Sequence, residues 1–304
     1  MMKRRDFIKA SIVGGIGGVA AVRGGLWAVD AGPRVYLASG EAANAVRRVV
    51  DGLGGISRFV QPGMVVALKP NISFPNPAGW STTTSPEVLK GVVEVCRDAG
   101  AKRILIVENP MQSDGEKNLE RSGLQAAIHE DDIVGFMIIK EERKYQAVEA
   151  LGAAVLGTVQ VAKVIFRADC FINIPVAKSH RETSVSLGLK NLMGLIWDRK
   201  VFHEQLDLHR AIADLSLVFR PDLTIMDATR GLLTNGPEGP GRVGNIGKVI
   251  AGVDPLAVDA VTVMQAPWNR MSMMPGDVLH LRYAQELGAG TINPEQILQM
   301  DLGG

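Results

Sequence analysis

With 304 residues, 46% hydrophobic and 21% charged, the chain has an ordinary globular balance and enough length for one large domain or two modest ones. Its 33 basic and 32 acidic residues leave a net charge of +1, so no long-range field favours nucleic acid or an anionic membrane surface as a partner. The two cysteines, Cys96 and Cys170, each lie inside an apolar segment and read as small buried hydrophobes. They cannot supply the four thiolates of an ordinary iron-sulfur cluster, so no such cluster is expected in this chain.

The first 32 residues read MMKRRDFIKASIVGGIGGVAAVRGGLWAVDAG. Paired Arg4 and Arg5 precede Asp6, Phe7, Ile8 and Lys9, and a glycine-rich apolar run covers 12–22. A core helix is a poor reading of that run, because Gly14, Gly15, Gly17 and Gly18 would each cost about 1 kcal/mol in a helix. It is also shorter than the roughly 20 apolar residues of a membrane helix, so no stable span is expected in the mature chain. The pattern resembles a twin-arginine export signal. That resemblance implies recognition by the twin-arginine export machinery, folding before transport and a periplasmic destination. Residues 1–31 are then the signal, with Val29-Asp30-Ala31 the best small-residue cleavage pattern, and residues 32–304 a single α/β domain. An uncleaved anchor stays open.

From residue 32 onward, short β-branched runs alternate with helical stretches. The predicted strands are VYLAS (35–39), MVVAL (64–68), RILIV (103–107), CFINI (170–174), LTIMD (223–227) and KVIAG (248–252). Short apolar strands separated by helices predict an α/β fold, a mostly parallel open sheet with helices on both faces. One helix is announced by Ser85 as N-cap, Pro86 at its first position, Glu87 in the first turn and Gly100 beyond its end. Another is predicted over 208–219 with Asp207 as its cap. The charged stretch 112–144 reads as a solvated insertion.

Polar residues follow these strands with some regularity: Lys69 and Asn71, Glu108 and Asn109, Lys178 and His180, Asp227, and Asp254. In an open parallel sheet the carboxyl ends of the strands face one crevice, where such folds bind ligands. Lys69, Asn71, Lys178 and Asp227 are therefore candidates for holding a small anion, although polar loops are also simply what loops are. Thr83 and Thr84 lead into the N-terminus of the Pro86 helix, whose free N–H groups favour an anion. The segment GLLTNGPEGPGR (231–242) is rich enough in glycine to approach a ligand closely, without matching a phosphate-loop fingerprint.

VFHEQLDLHR (201–210) places His203 four residues before Asp207, on one helical face, with His209 off that face. His203 and His209 are candidate ligands for a transition metal, and acid/base work by either fits equally well. In SVSLGLKNLMGLI (184–196), Lys190 and Asn191 interrupt an apolar run. Such a lysine either snorkels to solvent or is held by an anion or covalent partner, because an unpaired buried ammonium is costly. A buried lysine also has a lowered pKa and is a candidate nucleophile or base.

Taken together, KPN (69–71), NIPVAKSH (173–180), SLGLKNLMGLI (186–196), TIMDATRGLLTNGPEGPG (224–241) and DPLAVDAV (254–261) resemble the large family called Domain of Unknown Function 362. Many of its members carry ferredoxin-type cysteine motifs that this sequence lacks. A fainter resemblance runs to the N-terminal domain of nickel-pincer lactate racemases, in which a cofactor-bearing lysine follows a glycine pair and precedes a histidine. Here His180, Lys190 and His203 fall in comparable order, with a single glycine ahead of Lys190. The expectation is an exported enzyme acting on a small anionic substrate or cofactor, with Lys69, Lys178, Lys190 and Asn191 around the ligand and His180 or His203 as acid/base. A noncatalytic anion-, metal- or cofactor-binding protein is the alternative.

Overall fold

The structure, a computed structural model, describes residues 32–112, 115–128 and 132–304. Residues 1–31, read from the sequence as an export signal, lie outside the described residues. Twelve strands are present among the described residues: β1 (Arg34–Ser39), β2 (Val65–Pro70), β3 (Arg103–Glu108), β4 (Val134–Ile138), β5 (Tyr145–Glu149), β6 (Thr158–Ala162), β7 (Cys170–Ile174), β8 (Val176–His180), β9 (Ser184–Ser186), β10 (Leu223–Leu232), β11 (Val243–Gly252) and β12 (Leu298–Asp301). The α-helices are α1 (Ala42–Gly52), α2 (Pro86–Asp98), α3 (Glu116–Ser122), α4 (Leu124–Ile128), α5 (Lys163–Arg167), α6 (Gly188–Asn191), α7 (Lys200–Glu204), α8 (Leu208–Val218), α9 (Pro255–Val263) and α10 (Leu279–Glu286).

The main sheet runs β12-β1-β11-β10-β7-β2-β3-β4, with β8 and β9 continuing beside β10, while β5 and β6 form a separate pair. Pairing is parallel from β10 through β7, β2 and β3 to β4. It is antiparallel on both sides of β11, which pairs with β1 and β10. The fold is thus mixed α/β with a mostly parallel sheet.

Alternation along the strands divides the core between the two faces of the sheet. Val66, Leu68, Ile172 and Ile225 pack with Val46, Val49, Val92 and Val95 of α1 and α2. Ala67, Phe171, Met226 and Ile250 pack with Ile212, Leu215, Val261 and Leu281 of α8, α9 and α10. By the same alternation Lys69 and Asn173 point to this second face, which is why each is fully buried at the end of an apolar strand.

Helix boundaries follow from caps. Ser85 Oγ accepts the Val88 N–H at the start of α2, and Asp207 accepts from His209 and Arg210 at the start of α8. Two expectations change. The stretch 112–144 is not wholly a solvated insertion: β4 extends the sheet edge beside β3, and Leu119 and Leu124 are buried. Asp254 does not join the strand-end crevice, because β11 runs against β10; instead it caps α9 by accepting from Leu256 and Ala257.

Candidate functional site

A cavity of about 740 Å³ opens at the carboxyl ends of the parallel strands. Its walls come from the segments after β2 (Asn71, Phe74) and β3 (Asn109–Gln112), from β8 and β9 (Lys178, His180, Ser186), from α6 and the turn after it (Lys190, Asn191, Met193, Gly194), from Trp197, Arg199 and His203, and from Glu238 in the loop joining β10 to β11. Volumes of this size are ordinary for small-molecule sites.

Lys178 is 1% exposed; its Nζ donates to Asn71 Oδ1 at 2.9 Å and to the Thr82 carbonyl at 2.7 Å, and stands 5.2 Å from the Phe74 ring centroid. Burial, with Lys190 and Lys69 acting in the same direction against Glu108, pulls it down to about 7. Lys190 has a different setting. It is 8% exposed, and its one hydrogen-bond partner among the described residues is the Met193 thioether, 3.4 Å away. Burial, with Arg199 acting in the same direction against the pull of Glu182, brings it down to about 8. A thioether is a weak acceptor, so most of this ammonium's donor capacity faces the cavity unused.

His180 is held in one tautomer. Its Nδ1 accepts the backbone N–H groups of Glu182 (3.2 Å) and Thr183 (3.3 Å), which leaves the proton on Nε2. Burial, reinforced by Lys190 and Lys178, depresses it to about 2. The ring is therefore held as a neutral N–H donor. His203 Nδ1 lies 3.0 Å from Glu182 Oε2, half-exposed at the cavity edge, with its pKa lowered by burial and by Lys190 against the pull of Glu182. Arg199 adds a further cation, its guanidinium donating to the Pro110 carbonyl at 3.0 Å.

Several expected ligand contacts turn out to support the wall rather than form it. Lys69 is fully buried and does not line the cavity; its Nζ is 2.9 Å from Glu108 Oε2, itself fully buried, and 2.6 Å from the Pro70 carbonyl. Burial lowers Lys69 while Glu108 opposes the shift. Asn191, which does line the cavity, joins the layers: Oδ1 accepts from Asn71 Nδ2 at 2.8 Å and Nδ2 donates to Asn173 Oδ1 at 2.8 Å. Thr84 Oγ1 accepts the Asn71 N–H and donates to the Ile174 carbonyl, and Thr83 is buried away from the cavity. Asp227 accepts the Ser85 N–H at 2.7 Å, so the protein's own carboxylate already occupies the approach to the α2 N-terminus.

His203 lines the cavity edge, whereas His209 is not part of its lining. His209 stacks on the fully buried His280, ring centroids 6.1 Å apart, and among the described residues no set of three or more His, Cys, Asp or Glu is arranged to hold a metal ion. Cys96 and Cys170 are both buried, and no disulfide joins them.

Sequence reasoning missed Glu182, Arg199 and Asp259 as parts of this architecture. Asp259 accepts the N–H groups of Gly188 (2.7 Å) and Leu189 (2.8 Å), capping the short helix that presents Lys190. A methyl group on Gly188 would stand 2.7 Å from Asp259 Oδ1, so the glycine before Lys190 is needed for that approach. The one signal available was the second aspartate of DPLAVDAV, polar within an otherwise apolar helix.

This is a mixed α/β protein with a cavity at the strand ends whose lining carries six Lys and Arg and four Asp and Glu side chains. The chain belongs to the family described as Domain of unknown function (DUF362), whose model matches residues 66–264. It is similar to the thylakoid-associated protein sll1697 of Synechocystis, 27% identical over 230 residues, covering 73% of this chain and 69% of that protein. Among solved structures it is similar to the lactate racemase apoprotein of Thermoanaerobacterium thermosaccharolyticum, with a TM-score of 0.46, 12% identity and coverage of 84% of this chain and 57% of that one. A Thermotoga maritima protein matches with a TM-score of 0.40 and 13% identity, over 75% of this chain and 60% of its own. The chain thus spans less than two thirds of either solved structure.

Proposed function

We propose that this chain is an exported enzyme that binds a small anion, a carboxylate or phosphate compound, in the cavity at the strand ends. The observation that supports this best is Lys190: a buried lysine in the cavity wall whose only hydrogen-bond partner among the described residues is a thioether. Glu182 offsets this charge without a hydrogen bond to it, and an anion entering the cavity supplies a direct counter-charge. Lys178 and Arg199 add positive charge to the same cavity, and the neutral His180 offers Nε2–H as a fixed donor to a developing oxyanion. His203 with Glu182 is the pair suited to proton transfer.

Calorimetric titration of the full chain with inorganic phosphate and with small mono- and dicarboxylates tests the binding. At least one series should give saturable heat, weakened ten-fold or more by Lys190→Met. No heat from any of them overturns the reading.

The locked neutral state of His180 removes one proton-transfer candidate and favours the second reading, a noncatalytic anion binder. Nuclear magnetic resonance of a bound acid distinguishes the two. Conversion that stops in His203→Gln while affinity is retained marks an enzyme, and a bound acid that never changes marks a binder.

A further inference from the structure

Lys178 and Lys190 lie on one wall but are prepared for different work. Lys178 has two strong acceptors, Asn71 Oδ1 and the Thr82 carbonyl, which fix two of the tetrahedral positions on its nitrogen. The remaining position is left to the cavity that Lys178 lines. In the ammonium form that position carries the third proton; in the amine form the two hydrogens satisfy the two acceptors and the lone pair occupies that position. With the group drawn down to about 7, both forms are populated at neutral pH. Asn71 is bonded in turn to Asn191 at 2.8 Å, and Lys190 directly precedes Asn191. The under-partnered cation is thus tied to the oriented amine through two asparagines.

We propose that Lys178 is a nucleophile that condenses with the carbonyl carbon of a 2-oxo acid, while Lys190 holds the acid's carboxylate and His180 donates Nε2–H to the carbonyl oxygen. This rests on the anion reading of the cavity and narrows it to acids with an adjacent carbonyl. The nitrogen lone pair forms the C–N bond as the carbonyl π pair moves to oxygen, and a proton passes from nitrogen to that oxygen. Loss of the second nitrogen proton and departure of the hydroxyl as water leave a C=N bond. Amine and carbonyl give imine and one water, with no change of oxidation state. An imine so placed withdraws electrons from the neighbouring carbon and labilises its substituents, and the His203–Glu182 pair at the cavity edge is within the same lining to move a proton.

The full chain is incubated at pH 7 with pyruvate, glyoxylate or 2-oxoglutarate and sodium cyanoborohydride, and the product is read by intact mass and peptide mapping. The expected result is one equivalent of reduced adduct on Lys178 with at least one of these acids, at least ten times faster than on any surface lysine. Lys178→Arg and Lys178→Met should abolish it, and Lys190→Met should slow it at least ten-fold at subsaturating acid. An adduct on Lys190 instead, labelling spread over surface lysines, or no adduct overturns the proposal; because mapping is done on the parent chain, this outcome does not depend on a variant folding. Lactate, which has no carbonyl, is titrated in parallel. Saturable binding of lactate without any adduct from the 2-oxo acids rejects the imine and keeps the anion reading, whereas no heat and no adduct from any acid rejects both.

Discussion

In the proposed function, Lys190 is a single side chain that trades stability for binding capacity. Its ammonium is buried against a thioether, so replacing it with methionine of similar length removes a desolvated charge and leaves the packing in place. Lys190→Met is expected to raise unfolding stability by about 1–3 kcal/mol in urea titration while anion affinity falls. The pH dependence has a definite sign. Lys178 and Lys190 titrate at about 7 and about 8 in the folded chain against an ordinary 10.5. Between those values and 10.5 the unfolded chain binds more protons than the folded one, so stability contributed by these two groups rises with pH across that window. The gain in urea midpoint from pH 7 to pH 9 should therefore be larger in the parent than in a Lys178→Met, Lys190→Met double variant. Equal gains would mean that the two lysines are solvated. At this scale the sequence was partly legible. A lysine inside an apolar run announced Lys190, but Lys69, also at an apolar strand end, looked the same and proved to be paired with Glu108 beneath the wall. What separates the two is the element that carries each, a strand for Lys69 and the short helix α6 for Lys190, and what the facing element supplies, and neither is written locally.

At the scale of elements, α2 and α8 were readable because capping is a local interaction between neighbours in sequence. The β8–β9 hairpin that delivers Lys178 and His180 was not, since its residues are uniformly buried and lack a two-residue turn signature. Strand direction was equally hidden: β11 has the composition of its parallel neighbours yet runs against them, which sent Asp254 to the far end of the sheet. The turn after α6 depends on a glycine that composition alone could not single out. A methyl group on Gly194 would fall inside contact distance of Glu108 Oε1 and 2.8 Å from Lys69 Nζ, both fully buried. Gly194→Ala is expected to cost about 1–3 kcal/mol as an overpacked site. Urea denaturation measures this directly, and a neutral outcome would show that the Lys69–Glu108 pair relaxes freely.

For the whole molecule, the parallel arrangement predicted from alternating strands and helices is the arrangement observed, and it is what gathers the polar residues after β2, β3 and β7 into one cavity. The proposed export adds a prediction at this scale. A receptor that reads guanidinium geometry should reject lysines of equal charge, so Arg4→Lys with Arg5→Lys is expected to leave the protein in the cytoplasm when cell fractions are compared. Folded double variant in the periplasm would refute the twin-arginine reading.

The placement of β1 has a consequence in time. Both of its partners are made late: Val35 pairs with Gly252, Arg34 with Leu298, and the Ser39 N–H reaches the Gly303 carbonyl. At ribosomal speeds, β1 waits roughly 10–40 s for β11 to be synthesised, and longer for β12. Until then, the strand next to the N-terminal segment has an open edge, and an unfinished or misfolded chain keeps it open. Closure of that edge therefore reports that β11 and β12 have been synthesised and have paired with β1.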